Sequence, residues 1–467
     1  MKITLKEGQR EKIIQLRKVH VMLERVKSFF GGLLHKEERK KFFLLSVIFG
    51  ITIGVYWLLR PIKDSIFLNM VGTNYVPLAK MLSVIVVIPV VMIYSRLVDR
   101  FPRHVVLYIL SIFYAVCAIV FAILILNPVI GIANTVADPS RALGWAFYLY
   151  VETFGTIMAA LFWAFVSDTT TPDAAKRGYS VIVMGAQTGA VCLPLISKAI
   201  IVSCGTGGTG YALLFGVFVL CFLPPMVFYY MRHVPRSQME GFVADERSPL
   251  EGKHKKAGFF EGLRLLLSKP YLLGIFAIVG FYEVINGVLD FQFKGLAKAS
   301  YSGDALTIFL NDFAAVTNFI ALACVLVGID RLGRSLGFGK TLILLPLLVG
   351  VCVVGMSFYP VLIVAFAIQA IQKSFNYSLI QPVKEQLYIP TTKDTKYKAK
   401  AWIDMFGSRL SKGGASVINS TRGILGAEGF IVFSLLVSFG LIGVWMFAAL
   451  FVSKVHAQAL REDRVVC

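Results

Sequence analysis

Negative charge is scarce in this chain: 27 Asp and Glu stand against 47 Lys and Arg, and charged residues of all kinds make up only 16%. Soluble proteins carry about 25% charged residues. With 57% hydrophobic residues and a mean hydropathy of +0.73, a soluble enzyme or a string of soluble domains is excluded. The seven cysteines are scattered without a CxxC pair, and the six histidines are dispersed, which argues against a disulfide framework or a metal site. Phosphate-loop GxxxxGKS/T, HExxH and GxSxG motifs are all missing, so neither an ATPase nor a hydrolase is expected, and no cofactor is implied. The glycine cluster Gly205 to Gly210 has no following Lys at phosphate-loop spacing and reads as a connector.

What the chain has instead is apolar runs of about 20 residues, the length that crosses a bilayer as helix. Twelve are expected. Six are Phe42–Leu59, Val76–Tyr94, Val105–Leu126, Leu143–Val166, Val181–Val202 and Tyr211–Met231. The other six are Tyr271–Leu289, Leu306–Ile329, Thr341–Tyr359, Val361–Pro382, Ile403–Ile424 and Phe430–Val452. The eleventh is the most polar, with Asp404, Arg409, Lys412 and Asn419. The fold class is thus an all-α membrane protein of about twelve transmembrane helices. Its expected units are a basic amphipathic segment 1–41, a six-helix bundle 42–231, a basic linker 232–269, a second six-helix bundle 270–453 and a tail 454–467.

The formal net charge of +20 orients these spans. Residues 1–41 hold twelve Lys/Arg against five Glu, and 232–269 hold eight Lys/Arg. The other even-numbered gaps carry Arg96, Arg100 and Arg103, then Lys176 and Arg177, then Arg331, Arg334 and Lys340, then Lys384 to Lys400. Lys/Arg-rich loops face the cytoplasm, so both termini are expected inside and the protein in the cell's inner membrane. The cations are then a topology signal, not a nucleic-acid footprint. In the first segment, Leu16, Val19, Leu23, Val26 and Phe30 form a helical stripe with basic residues between them, as in a helix lying on an anionic inner leaflet.

The halves repeat in parallel. Asp99-Arg100-Phe-Pro-Arg103 recurs as Asp330-Arg331-Leu-Gly-Arg334, and the same offset carries Lys63 onto Lys294. A later offset brings Glu152 to within one residue of Lys373, as if an acid and a base faced each other across the pseudo-two-fold axis. Two parallel six-helix repeats describe a transporter with its substrate path between the bundles. The Asp-Arg-x-x-Arg loops resemble the loop signature of the major facilitator superfamily. They read either as solvated positive loops or, being present twice, as gating latches made of a carboxylate beside guanidinia.

Each ionisable group inside a span costs at least ~2.5–3.5 kcal/mol and so needs a reason. The candidates are Arg60, Lys63 and Asp64 at the outer end of the first span, Glu152, Lys198, Glu283, Asp290, Asp312, Lys373, Arg409 and Lys412. The cations favour an anionic substrate, although pairing with a nearby acid accounts equally well for Lys198, Glu283, Asp312 and Lys373. Lys412 is set in Ser411-Lys412-Gly413-Gly414, where small residues let a ligand or backbone come close.

Four stretches resemble the ATP/ADP translocase-type nucleotide transporters of intracellular bacteria and plastids, which are major-facilitator-like. They are Leu59-Arg60-Pro61-Ile62-Lys63-Asp64; Val151-Glu152-Thr-Phe-Gly155 with Phe162-Trp163; Thr170-Thr171-Pro172-Asp173-Ala-Ala-Lys176-Arg177; and Tyr377 through Pro390 leading to Lys398 through Asp404 and Lys412-Gly413-Gly414. The resemblance implies nucleotide transport, often strict ATP-for-ADP exchange, that depends on two lysines and two acids within the membrane. Residue by residue these are Lys63, Glu152, Lys412 and, four before Lys294, Asp290, where the family has the longer glutamate. Pro61 and Arg409 also depart from the family pattern. Two alternatives stay open: a proton-coupled importer of several nucleotides, and a membrane interaction protein that keeps the fold without a substrate.

Overall fold

The computed structural model describes residues 38–239, 259–327, 338–376 and 407–462, with a few isolated positions between 387 and 466. Residues 1–37 of the amphipathic segment, residues 240–258 of the linker, the Asp330-Arg331-Arg334 loop and most of 377–406 lie outside the described residues. Within them the chain is helical: α1 (Glu38–Met70), α2 (Val76–Arg100), α3 (Arg103–Leu126), α4 (Ala142–Asp168), α5 (Pro172–Cys204), α6 (Gly208–Cys221) and α7 (Leu223–His233) form the first half. After α8 (Phe259–Ser268) come α9 (Pro270–Ser300), α10 (Gly303–Val327), α11 (Phe338–Phe358), α12 (Leu362–Phe375), α13 (Ser408–Ser420) and α14 (Arg422–Arg461). Among the described residues, ten helical stretches are long and apolar enough to cross a membrane, one of them α6 and α7 taken together. The remaining two of the twelve expected spans correspond to the shorter α12 and α13.

Local chemistry sets the helix starts. Thr171 accepts a hydrogen bond from the Ala174 amide (3.3 Å) and Pro172 follows at the first helical position of α5. Pro270 plays the same part at α9. The long connection before α4 is drawn together by Arg141, whose guanidinium donates to the carbonyls of Ile130, Gly131, Asn134 and Val136 at 2.8–3.0 Å.

Two helices run past their expected ends. The first span was expected to stop at Leu59 and the seventh at Leu289, yet α1 continues to Met70 and α9 to Ser300. Charged residues end a hydropathy window, but here they are neutralised by one another, so helix continues through them. Lys63 and Asp290 therefore lie within helices, about 10 Å and about 15 Å from their respective ends by helical rise, not at a span terminus.

The α1–α5 crossing is the closest in the first half. Ser46, Gly50 and Gly54 of α1 face Gly185 and Gly189 of α5; a Cβ on Gly189 would fall 2.1 Å from the Gly50 carbonyl oxygen, and one on Gly185 2.1 Å from the Ser46 hydroxyl. Small residues at this spacing let two helix backbones touch. Phe49, Phe162 and Trp163 pack beside the contact.

Candidate functional site

Five of the eleven membrane-depth charges, Lys63, Asp64, Glu152, Asp290 and Lys373, converge with Lys80 and Lys294 on one buried network. Lys63 of α1 donates to Glu152 of α4 at 2.5 Å and lies 3.5 Å from Asp64, with its ammonium 4.4 Å over the Tyr148 ring. Asp64 also takes Lys294 of α9 at 2.9 Å. Lys294 reaches back one turn to Asp290 at 2.9 Å. Asp290 in turn accepts from Lys373 of α12 at 2.7 Å and from Lys80 of α2 at 3.5 Å. Lys63, Asp64, Asp290, Lys294 and Lys373 are all buried. A buried charge persists only when paired, and here seven groups from five helices pair one another.

Three of the four expected site residues, Lys63, Glu152 and Asp290, belong to this network. Lys412 does not join it by contact. It is exposed on α13 and has no ion pair among the described residues, but it lies within electrostatic reach of Glu152. The expected face-to-face pair of Glu152 and Lys373 does not form: each takes a partner from its own half, Lys63 and Asp290 respectively. The reason is distance along the chain of charges, since Asp64, Lys294 and Asp290 stand between them. Lys80 and Lys294 were not among the expected site residues, although Lys294 was visible as the repeat partner of Lys63, and Asp64 was named only as a membrane-depth charge. Lys80 carries the same signal as the others, a lone charge inside the expected span Val76–Tyr94, but no motif or repeat singles it out.

Pairs of lesser consequence behave as their own counter-ions. Lys198 of α5 meets both oxygens of Asp312 of α10 at 2.8 Å, each about a third exposed. Of the expected latch residues, Arg103 pairs with Asp168 at the end of α4 (3.1 Å) and Arg100 stacks on Phe101; Asp99 sits beside them near the end of α2. The Arg103 pair ties helices of the first half to each other, not the two halves. The matching Asp330, Arg331 and Arg334 lie outside the described residues.

Polar contacts between the halves gather at the network and at the end expected to face outward. Asn69 of α1 accepts from Lys298 (2.5 Å) and from the Gly303 amide (3.0 Å), and Thr307 donates to Ser65 (2.7 Å). Asp304 receives the amides of Gly207 and Thr209 at 2.8 and 3.1 Å and the Thr209 hydroxyl at 2.5 Å. The glycine cluster expected to be a mere connector thus supplies backbone donors to the opposite half. Gly207, with φ of 85°, adopts a left-handed turn that aims them. These contacts hold the two halves together at the end expected to face outward.

A family model described as TLC ATP/ADP transporter matches residues 18–371 and 351–456. The chain belongs to this family. ADP,ATP carrier protein 1 of Rickettsia typhi is 26% identical over 493 residues, covering 92% of this chain and 96% of the relative. Its namesake in Rickettsia bellii is 24% identical over 456 residues, with coverage of 85% and 89%. The chloroplastic ADP,ATP carrier protein 2 of Arabidopsis thaliana is 28% identical over 310 residues, covering 58% of this chain and 48% of the relative. Among solved structures, a bacterial homolog of the human lysosomal transporter Spinster in an inward-facing, unoccupied conformation matches with a TM-score of 0.58 and 13% identity over 91% of this chain and 98% of that one. The nucleoside transporter NupG matches at 0.55 and 10%, over 88% and 98%. The fold is that of a multi-pass major-facilitator-like transporter.

Proposed function

We propose that this protein exchanges ATP for ADP across a bacterial plasma membrane by alternating access, with both termini inside. The nucleotide lies between Lys63 and Glu152 of the first half and Asp290 and Lys412 of the second. One observation carries the reading: cations and carboxylates from both halves meet at membrane depth through the Asp64–Lys294 bridge. Family membership and relatives named as ADP,ATP carriers support the substrate class.

The chemistry follows from charge conservation in a low-dielectric site. With no substrate, Glu152 and Asp64 pair with Lys63 while Asp290 is shared by Lys80, Lys294 and Lys373, so every charge has a partner and one positive charge stands in excess. A phosphate chain offers the same lysines stronger, charge-assisted acceptors and draws Lys412 into the site. The carboxylates then release the lysines, which loosens the Asp64–Lys294 and Lys80–Asp290 bridges that tie the two halves of the empty carrier together. Changing sides is cheapest with a nucleotide bound, which is the physical basis of strict exchange. The outer seal of Asn69, Lys298 and Asp304 must break for the site to open outward, while the Arg103–Asp168 pair lies toward the inner side. ATP carries more negative charge than ADP, so the exchange moves net charge.

The test is counter-exchange in proteoliposomes with a nucleotide panel, run with and without a proton gradient. Labelled ATP entering only when ADP or ATP is inside, regardless of the gradient, is the expected result. Uptake driven by a proton gradient into vesicles without counter-substrate would contradict exchange, and no saturable uptake of any nucleotide would contradict transport.

A further inference from the structure

Asp290 has more partners than one charge can satisfy. Three ammonium groups stand within 3.5 Å of it: Lys373 at 2.7 Å on one oxygen, with Lys294 at 2.9 Å and Lys80 at 3.5 Å on the other. Counting the whole network, Lys63, Lys80, Lys294 and Lys373 face only Asp64, Glu152 and Asp290, so one positive charge is left over. An excess cation at membrane depth calls for an anion from outside. Lys80 is the one most able to receive it, with the longest contact and a side chain 17% exposed against 8% for Lys294 and Lys373. The three lysines come from α2, α9 and α12, so an anion held by them touches both halves at once.

A second observation lies beside Lys373. Gln369 and Gln372 on the same helix are 1% and 4% exposed, and neither end of either amide has a hydrogen-bond partner among the described residues. Buried, unsatisfied amides cost stability. Unused donors next to a surplus cation mark a place for a polar anion.

Resting on the nucleotide reading, we infer that Lys80 and Lys373, with Lys294, clamp the terminal phosphate of the nucleotide, and that Asp290 is the counter-ion that holds the clamp between substrates. Lys63 and Lys412 then serve the rest of the phosphate chain, and the clamp sets how strongly the carrier prefers longer chains.

The test measures inhibition of labelled ADP exchange by AMP, ADP and ATP in proteoliposomes holding equal amounts of inserted protein. Lys80→Gln and Lys373→Gln are expected to raise the inhibition constant of ATP about tenfold relative to that of AMP, as loss of a charge-assisted bond to the last phosphate requires. Lys373→Arg, which keeps the charge, should hold the preference within about threefold. Unchanged ATP-to-AMP ratios in both glutamine variants would overturn the clamp. So would recovery of the ATP preference when Lys373→Gln is combined with Asp290→Asn, because that is how a lysine serving only as counter-ion behaves. Failure of the nucleotide reading looks different: the wild-type protein would then exchange no nucleotide, and the clamp would fall with it.

Discussion

The two halves of the charge network are built in opposite senses. In the first half one cation, Lys63, is shared by two carboxylates, Glu152 and Asp64. In the second, one carboxylate, Asp290, is shared by three lysines, of which Lys80 reaches over from the first half. The halves repeat in sequence, and Lys63 and Lys294 occupy equivalent places, yet their surroundings are complementary and not identical. Asp64 joins the two arrangements by giving one oxygen to each lysine. A symmetric scaffold therefore carries an asymmetric site, with an acid-rich side and an electropositive side, as a polyanion that must be gripped at one end and released at the other requires.

Breaking the joint between the two sides should have the largest effect. Asp64→Asn removes the counter-charge that Lys63 and Lys294 share, and loss of one partner of a buried pair costs about 3–5 kcal/mol. Exchange is expected to fall at least about a hundredfold. Efflux of preloaded ADP into nucleotide-free medium, set against exchange in the same vesicles, shows whether the remaining flux is still coupled. Equal exchange in the variant and the parent would mean that the bridge plays no part.

The comparison sharpens if the scaffold is disturbed while the charges are kept. Gly189→Ala puts a methyl group against the Gly50 carbonyl, an overpacking that costs about 1–3 kcal/mol. Thermal unfolding of the detergent-solubilised protein should move down by several degrees, while the preference among nucleotides stays as it was. A change in that preference would show that the α1–α5 crossing sets the site's charges as well as its frame.

The smallest effect is expected at Lys198–Asp312, a cross-half pair outside the network and about a third exposed. Such pairs contribute about 0.2–1 kcal/mol. Lys198→Gln should change exchange less than about threefold; a collapse would place this pair in the substrate path.

Much of this was legible in the sequence, and the failures share a physical origin. Hydropathy and the Lys/Arg asymmetry give the spans, because a bilayer acts on local composition. Lys63, Glu152 and Asp290 stand out because a charge in an apolar run is conspicuous and because family motifs surround two of them. Lys80 is a lone charge inside the expected span Val76–Tyr94, but no family motif or repeat surrounds it and its partner is 210 residues away. Asp304 and the amides of Gly207 and Thr209 are likewise long-range pairs whose meeting depends on how the halves dock. The ends of α1 and α9 were placed short because a hydropathy window counts a charge without its neutralising partner. Pseudo-symmetry paired Glu152 with Lys373, but each charge pairs with the nearest opposite charge, which for both is in their own half.

The central claim is that substrate is held by lysines from both halves at once. The most direct test is counter-exchange of labelled ATP in proteoliposomes made with Lys63→Ala and, separately, Lys412→Ala, with membrane insertion verified for each. The account predicts that either variant, one in each half, abolishes exchange while inserting normally. Normal exchange in both would contradict it.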